Sequence, residues 1–211
     1  MTSSILNHLI FLYGEAPGKQ TYEKVQQLLA AYQPQLPEPE TAVFSEQDTV
    51  LITYGDQVQS AGEAPLQTLA KFCAEKINGR IQTIHLLPFY PYSSDDGFSV
   101  IDYQAVDPAL GSWDDVAAFR SNFQLMFDAV INHISAESEW FQRFLQDDPA
   151  YEDFFVTVDP TADLSAVFRP RALPLLTPFE TKSGTRHLWT TFSDDQIDLN
   201  YANPEVLLAV L

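Results

Sequence analysis

The chain has 211 residues, 45% of them hydrophobic and 13% aromatic, so it is long and apolar enough to fold around a sizeable core. Its 29 acidic and 11 basic residues give a net charge of −18, which disfavours nucleic acid and anionic membranes as partners. The single cysteine, Cys73, excludes an intrachain disulfide and a thiolate metal cluster, and no apolar run has the length of a membrane span or the flanks of a signal peptide, so we expect a cytoplasmic protein.

The first 46 residues are predicted to form a helical N-terminal extension. Apolar residues at helical spacing (Val25, Leu28, Leu29 and Tyr32) predict an amphipathic helix over 22–32. Prolines at positions 34, 37 and 39 cannot continue that helix and predict an extended linker.

Three short apolar segments then alternate with helical patterns. Residues 49–53, 81–87 and 123–131 are predicted strands, the first two buried on both faces of their sheet. A helical apolar face from Leu66 to Ile77 ends at Asn78-Gly79, and Ser112 with Asp115 resembles a capping box. This order predicts an α/β fold with a parallel sheet, and polar residues massed after successive strands are typical of a (β/α)₈ barrel. A complete barrel needs about 250 residues, so we expect strands 1–3 of a TIM barrel.

The regular alternation stops after residue 134. Ser135 is predicted to cap a helix that carries Trp140 and Phe144, and the irregular stretch that follows predicts an inserted subdomain of the B type. Asn203-Pro204-Glu205 is a strong helix start, yet the apolar residues 206–211 carry no stop signal, so we expect a truncated chain. The predicted divisions are the extension (1–46), three βα units (47–134), the insertion (135–201) and the start of the next barrel helix (202–211).

Several motifs in register resemble one enzyme family. The most specific is residues 86–103 (Leu-Leu-Pro-Phe-Tyr-Pro-Tyr-Ser-Ser-Asp-Asp-Gly-Phe-Ser-Val-Ile-Asp-Tyr). Residues 128–133 (Asp-Ala-Val-Ile-Asn-His) are moderately specific by themselves, and 111–115, 169–171 and 189–196 reinforce both. Together they resemble the sucrose phosphorylase branch of the α-amylase superfamily, glycoside hydrolase family 13. The extension and the Ser-Ser-Asp-Asp-Gly-Phe segment look most similar to glucosylglycerate phosphorylases and sucrose 6-phosphate phosphorylases.

The resemblance implies a substrate-binding role for six residues. Asp95 would accept hydrogen bonds from glucose hydroxyls, Phe98 would form an aromatic wall beside the ring, and His133 would donate to a hydroxyl near the reacting carbon. Phe192 and Gln196 would border the same pocket, and Arg171 would face the acceptor, where its guanidinium suits phosphate. The resemblance also implies that Asp128 and Asn132 support the end of the third strand.

Each of these residues also has a structural interpretation. Asp95 and Asp96 before Gly97 suit a tight turn, and His133 suits a satisfied histidine at a strand end. Phe98 and Phe192 are of a type common in cores, and Arg171 suits a surface ion pair. Three further acids (Asp194, Asp195 and Asp198) would suit a hard cation. The resemblance nevertheless implies neither a metal nor a cofactor.

The implied reaction is retaining transfer of an α-glucosyl group from a glucoside to inorganic phosphate, giving α-glucose 1-phosphate by double displacement between two carboxylates. In the family the nucleophilic Asp follows the fourth strand and the acid/base Glu the fifth. Both are expected after Leu211, so this chain contains no catalytic residue and is expected to be inactive alone. The alternatives are an α-glucoside hydrolase of the same superfamily and a non-catalytic sugar-binding fragment. The sequence indicates neither the acceptor nor an oligomeric state.

Overall fold

The computed structural model describes residues 2–35, 45–46, 48–168 and 172–211 as a helical hairpin, a parallel sheet and a region of antiparallel strands. The helices are α1 (Thr2–Tyr13), α2 (Glu15–Tyr32), α3 (Pro65–Lys76), α4 (Trp113–Ala118), α5 (Glu139–Leu145) and α6 (Pro204–Val210). The strands are β1 (Val50–Thr53), β2 (Thr83–Leu86), β3 (Gln124–Phe127), β4 (His133–Ser135), β5 (Leu176–Thr181), β6 (Gly184–Trp189) and β7 (Gln196–Asp198).

Helices α1 and α2 form a hairpin at the N-terminus. The helix predicted over 22–32 is confirmed and begins earlier, at Glu15, whereas α1 was not singled out from the sequence. The two helices lie close together at Gly18, where an added Cβ would lie 2.7 Å from the backbone of Ile10. Lys24 on α2 forms an ion pair with Glu205 on α6, so the hairpin contacts the end of the described chain.

Replacing Gly18 by alanine should loosen the hairpin, because neither backbone can retreat from a 2.7 Å contact without moving a helix axis. Overpacking of this kind costs roughly 1–3 kcal/mol. Amide hydrogen exchange over 2–32, followed by mass spectrometry, should accelerate relative to the unsubstituted protein. Gln27→Ala, at an exposed position of α2, is the matched control, and equal exchange in the two variants would contradict the close approach.

The predicted parallel sheet is confirmed, with strand order β1-β2-β3. Helices α3 and α4 pack on one face of it around buried residues that include Leu66, Cys73, Ile84 and Phe119. The predicted capping box of α4 is also confirmed, since the side chains of Ser112 and Asp115 each accept from the other's backbone N–H. The β2 strand therefore ends beside a rigid helical layer, and the loop that follows it starts from a fixed point.

The prediction that β1 is buried on both faces is wrong for this chain. Side chains alternate between the two faces of a strand, and only the face toward α3 is covered. On the opposite face Ile52 is 61% exposed, and Val50 and Met126 are exposed beside it. The apolar pattern of the strand is therefore not matched by burial among the described residues.

A second core lies in the region after β3. Strand β4 pairs antiparallel with β7, β5 and β6 form a hairpin, and both pack with α5 around Phe141, Phe155 and Leu188. The third strand ends at Phe127, earlier than predicted, because the chain turns away before it starts β4.

The two predicted helix starts in this region had different outcomes. The cap of α5 is Ser138, whose hydroxyl accepts from the Phe141 N–H, and not Ser135, which lies in β4. The predicted start of α6 at Asn203-Pro204-Glu205 is confirmed, with the Asn203 side chain accepting from the Glu205 N–H. The division into segments 1–46, 47–134, 135–201 and 202–211 stays a prediction. Among the described residues, no helix combines the length and apolarity needed to cross a membrane.

Candidate functional site

Two strands of the second core and the loop after β2 meet at one place. Asp95 lies in a short 3₁₀ turn (Asp95–Gly97) of that loop, while His133 begins β4 and Gln196 begins β7. Because β4 and β7 run antiparallel, with Ser135 opposite Gln196, their side chains are held on one small ladder. Residues that are up to 101 positions apart in sequence are thereby placed within hydrogen-bonding distance.

The Gln196 amide is the centre of this meeting point. Its Nε2 lies 3.0 Å from Asp95 Oδ2, 3.1 Å from His133 Nε2 and 3.4 Å from the Phe98 carbonyl oxygen. Ser193 Oγ donates to its Oε1 at 2.9 Å and so fixes which way the amide points. Gln196 is 1% exposed, whereas the Asp95 side chain is exposed, so a buried amide orients an accessible carboxylate.

The contacts also determine the His133 tautomer. His133 Nε2 lies 2.9 Å from the Phe98 carbonyl oxygen, which only accepts, so we assign the proton to Nε2. The two Gln196 amide protons are then directed to Asp95 and the Phe98 carbonyl, and the 3.1 Å approach of Gln196 Nε2 to His133 Nε2 is a contact and not a hydrogen bond. His133 Nδ1 is buried and has no partner among the described residues, and a bare lone pair there is less unfavourable than an unpaired N–H. The Phe98 carbonyl can accept from both His133 and Gln196, and the imidazole presents its proton toward the loop that carries Asp95.

The two aromatic residues lie beside this polar group. The Phe192 ring centroid is 5.1 Å from that of His133, with the rings tilted by 59°. Phe98 is half-buried and belongs to neither core cluster. Phe192 therefore borders the polar group through its ring, and Phe98 borders it through its backbone carbonyl.

The loop that carries Asp95 has an unusual backbone. Asp95, Asp96 and Gly97 have φ values of 56°, 50° and 102°, and residues other than glycine in that region cost of order 1–3 kcal/mol each. The turn interpretation and the pocket interpretation both apply, because the same Asp95 that forms the turn also accepts a hydrogen bond from Gln196. Such a backbone persists only where neighbouring contacts hold it.

Asn132 and Asp128 lie behind this group, at strand ends. Asn132 Nδ2 donates to Asp198 Oδ1 at 3.1 Å, which ties the start of β4 to the end of β7. Asp128 Oδ2 lies 2.9 Å from His85 Nε2 and connects the ends of β3 and β2. Arg171 lies outside the described residues, so five of the six predicted binding residues can be placed, and all five lie together.

A family model described as the alpha amylase catalytic domain matches residues 79–211. The chain belongs to the α-amylase family. Its parallel sheet is therefore part of that family's barrel, in agreement with the fold class predicted from sequence.

The relatives include a glucosylglycerate phosphorylase of Allomeiothermus silvanus, 57% identical over 212 residues and matching 100% of this chain but 37% of the relative. A sucrose phosphorylase of Streptococcus mutans is 34% identical over 163 residues, which are 72% of this chain and 33% of the relative. Among solved structures, the crystal structure of sucrose 6F-phosphate phosphorylase from Thermoanaerobacter thermosaccharolyticum aligns with a TM-score of 0.70 at 28% identity, covering 82% of this chain and 37% of that one. The chain thus spans about a third of the length of these proteins.

Two tyrosines at this end of the family's sheet were not predicted from sequence. Burial raises the pKa of the Tyr54 hydroxyl, and neighbouring carboxylates, above all Asp96 and Asp95, raise it further. Burial and then Asp128 raise the pKa of Tyr90. Tyr54 directly follows β1 and Tyr90 follows β2, so position after a parallel strand was the signal that could have found them. The carboxylates of Asp95, Asp96 and Asp128 therefore lie near these tyrosines at the strand ends, and we call this group the acidic mouth.

Two of the three acids that would suit a hard cation accept hydrogen bonds from other groups in this member of the family. Asp198 accepts from Asn132 and from the Thr191 N–H and hydroxyl, and Asp195 accepts from serine hydroxyls. Asp194 is exposed to solvent. Within the described parts of the chain, no group of three or more His, Cys, Asp or Glu side chains is placed to hold a metal ion.

Proposed function

We propose that this chain is the N-terminal part of a retaining glucoside phosphorylase, and that glucosylglycerate is its glucosyl donor. The observation that carries the proposal is the convergence of Asp95, His133 and Gln196, three polar side chains that the family resemblance associates with a glucose pocket. The whole-chain match to a glucosylglycerate phosphorylase supports the choice of donor, since the sucrose phosphorylase match covers 72% of the chain.

Each placed side chain has a chemical role in this proposal. The exposed Asp95 carboxylate accepts from two sugar hydroxyls, and charge-assisted bonds of that kind are the stronger ones. When glucose enters, the His133 Nε2–H keeps its proton and exchanges its acceptor, the Phe98 carbonyl, for a sugar hydroxyl. The Phe192 ring provides apolar contact beside His133.

The bond-making residues of the proposed enzyme lie in the part of the protein after Leu211. One carboxylate displaces the glycerate oxygen at the anomeric carbon while a carboxylic acid protonates that leaving oxygen. Phosphate then attacks the glucosyl ester and releases α-glucose 1-phosphate with the original anomeric configuration. An acidic mouth repels phosphate, so a cation is required, and we propose Arg171 for it.

The test is phosphorolysis by the full-length gene product that carries this chain, supplied in turn with glucosylglycerate, sucrose and sucrose 6-phosphate. We expect α-glucose 1-phosphate from glucosylglycerate at a rate well above the other two donors. Release of free glucose without glucose 1-phosphate would instead indicate an α-glucoside hydrolase. Sequencing of the gene past the codon for Leu211 should show an open frame with an Arg-x-Asp motif at the end of a fourth strand.

We propose a cytoplasmic protein, in keeping with a lone, buried cysteine in 211 residues. We also propose that 1–46 is an extension, that 47–134 are barrel units, that 135–201 are the insertion and that 202–211 begin the next barrel helix. The two separate cores support this division.

A further inference from the structure

One carboxylate oxygen near the pocket accepts three serine hydroxyls. Asp195 Oδ2 lies 2.5 Å from Ser93 Oγ, 2.6 Å from Ser94 Oγ and 2.7 Å from Ser99 Oγ. A carboxylate oxygen is suited to this arrangement because it is charged and only accepts, whereas an amide oxygen has two lone pairs and no charge. Asp195 is therefore hydrogen-bonded to both ends of the loop between residues 93 and 99.

A fourth serine extends the arrangement to β4. Ser135 Oγ lies 2.6 Å from Ser93 Oγ, and because the Ser93 proton is directed to Asp195, Ser135 is the donor in this pair. Ser135 in turn accepts from the Glu137 N–H. Ser99 and Ser135 are both 0% exposed, so the bonds lie partly out of water, where they are stronger. We call Ser93, Ser94, Ser99, Ser135 and Asp195 the Asp195 network.

The network has a member within two residues of every polar residue of the proposed glucose pocket. Asp95 directly follows Ser94, and Gln196 directly follows Asp195. His133 precedes Ser135 by two positions, on the same strand. The Asp195 carbonyl also accepts from the Ala136 N–H at 2.9 Å, so the Asp195 backbone is bonded to the residue that follows Ser135.

The network also brackets the left-handed turn. Ser94 precedes Asp95 and Ser99 follows Phe98, so the hydrogen bonds to Asp195 lie on either side of the three residues with positive φ. A turn of this kind returns to an ordinary conformation unless its two ends are fixed. Fixing them through one atom makes the position of the Asp95 carboxylate depend on the Asp195 charge.

We propose that Asp195 is a positioning residue for glucosyl binding. It acts through Asp95, His133 and Gln196 and makes no contact with the sugar. This inference rests on the proposed function, because it assigns Asp195 to the pocket of that reaction. The chemistry required of Asp195 is a single charged acceptor for three hydroxyl donors.

The test compares Asp195→Asn with Asp194→Asn in the full-length gene product. Asp194 is adjacent to Asp195, is exposed and is not part of the Asp195 network, so its variant loses the same charge and keeps the hydrogen bonds of the network. For Asp195→Asn we expect kcat/KM for the glucosyl donor to fall about 10- to 100-fold with a raised donor KM, because small displacements of positioning groups have effects of that size. The KM for phosphate should stay within about twofold, as should every parameter of Asp194→Asn.

Two further measurements separate positioning from folding. Glucose affinity, measured by calorimetry, should fall with the donor KM. Ser94→Ala should raise the donor KM about threefold alone and add little in the Asp195→Asn background, since both act through one oxygen. A fall in kcat alone, with both KM values and glucose affinity unchanged, would show a purely structural role.

The two proposals fail in different ways. If the unsubstituted protein binds glucose but forms no glucose 1-phosphate, the proposed function fails and the calorimetric comparison still decides the role of Asp195. If the protein forms glucose 1-phosphate and Asp195→Asn matches Asp194→Asn, the positioning role alone is overturned. An unsubstituted protein that neither binds glucose nor forms the product overturns both.

Discussion

Asp95→Asn should lower kcat/KM for the glucosyl donor about a hundredfold or more in the full-length gene product. The substitution keeps the size of the side chain and still accepts from Gln196 Nε2, which lies 3.0 Å from Asp95 Oδ2, so the loop keeps its contact. What is lost is the charge that strengthens bonds to sugar hydroxyls, and bonds to charged groups contribute roughly 1.5–3 kcal/mol each. Initial rates of glucose 1-phosphate formation over a range of donor concentrations give the measurement.

The matched control is Asp96→Asn, because Asp96 has the same charge as Asp95 and a backbone with a similar positive φ. It is exposed and has no hydrogen bond to Gln196, so we expect a change in kcat/KM of less than about threefold. Unfolding temperatures of both variants should lie within a few degrees of the unsubstituted protein. Equal losses in the two variants would mean that general negative charge at the mouth matters, and not a specific bond to the sugar.

Gly97→Ala should abolish most of the activity through the backbone. At φ 102° a side chain is already strained, and an added Cβ would lie 2.8 Å from the Pro88 carbonyl oxygen and 3.1 Å from Pro88 Cβ. The turn must move to relieve that contact, and Asp95 moves with it. We expect a loss of at least about a hundredfold in kcat/KM, since displacements near 1 Å have such effects. Steady-state kinetics with a parallel thermal melt would measure both consequences.

Gly62→Ala is the control for Gly97→Ala. Gly62 also has a positive φ, 84°, but an added Cβ would meet nothing within 4 Å. Both variants therefore carry the conformational cost of alanine at positive φ, about 1 kcal/mol, and only one carries the steric contact. Retention of activity by Gly97→Ala would show that the loop has another arrangement available and that the described turn is not needed.

The parallel sheet could be predicted from the sequence because short apolar segments bounded by turn residues are typical of buried strands and of few other elements. Sequence reasoning failed on burial, because the apolar pattern of β1 indicates which side chains favour burial but not whether another element packs against them. Ile52 is 61% exposed although its segment was predicted to be buried on both faces. It also failed on the cap of α5, because Ser135 and Ser138 are both good caps and only the pairing of β4 with β7 selects Ser138.

For the site, local pattern identified Asp95 and His133 as polar residues after apolar segments. Their connection through Gln196 was not visible in local pattern, because Gln196 is 63 positions from His133 and no periodicity relates them. The family resemblance supplied Gln196, but neither source indicated a positioning role for Asp195, which was noted only as an acid that would suit a cation. In the sequence, Asp194 and Asp195 look like two neighbouring solvated acids. Only the structure shows that three serine hydroxyls from a distant loop donate to Asp195.

Cys73 lies on α3 and is fully buried against the sheet, and burial raises the pKa of its thiol. It is the only cysteine among the 211 residues. Because a thiolate is the reactive species, the folded chain is protected from alkylating reagents both by access and by protonation. The rate of labelling with iodoacetamide therefore reports how often α3 lifts from the sheet. The same measurement can be made on residues 1–211 by themselves. Slow labelling would mean that this part of the protein folds independently. Labelling at the rate of a free peptide would mean that it needs the rest of its barrel to fold.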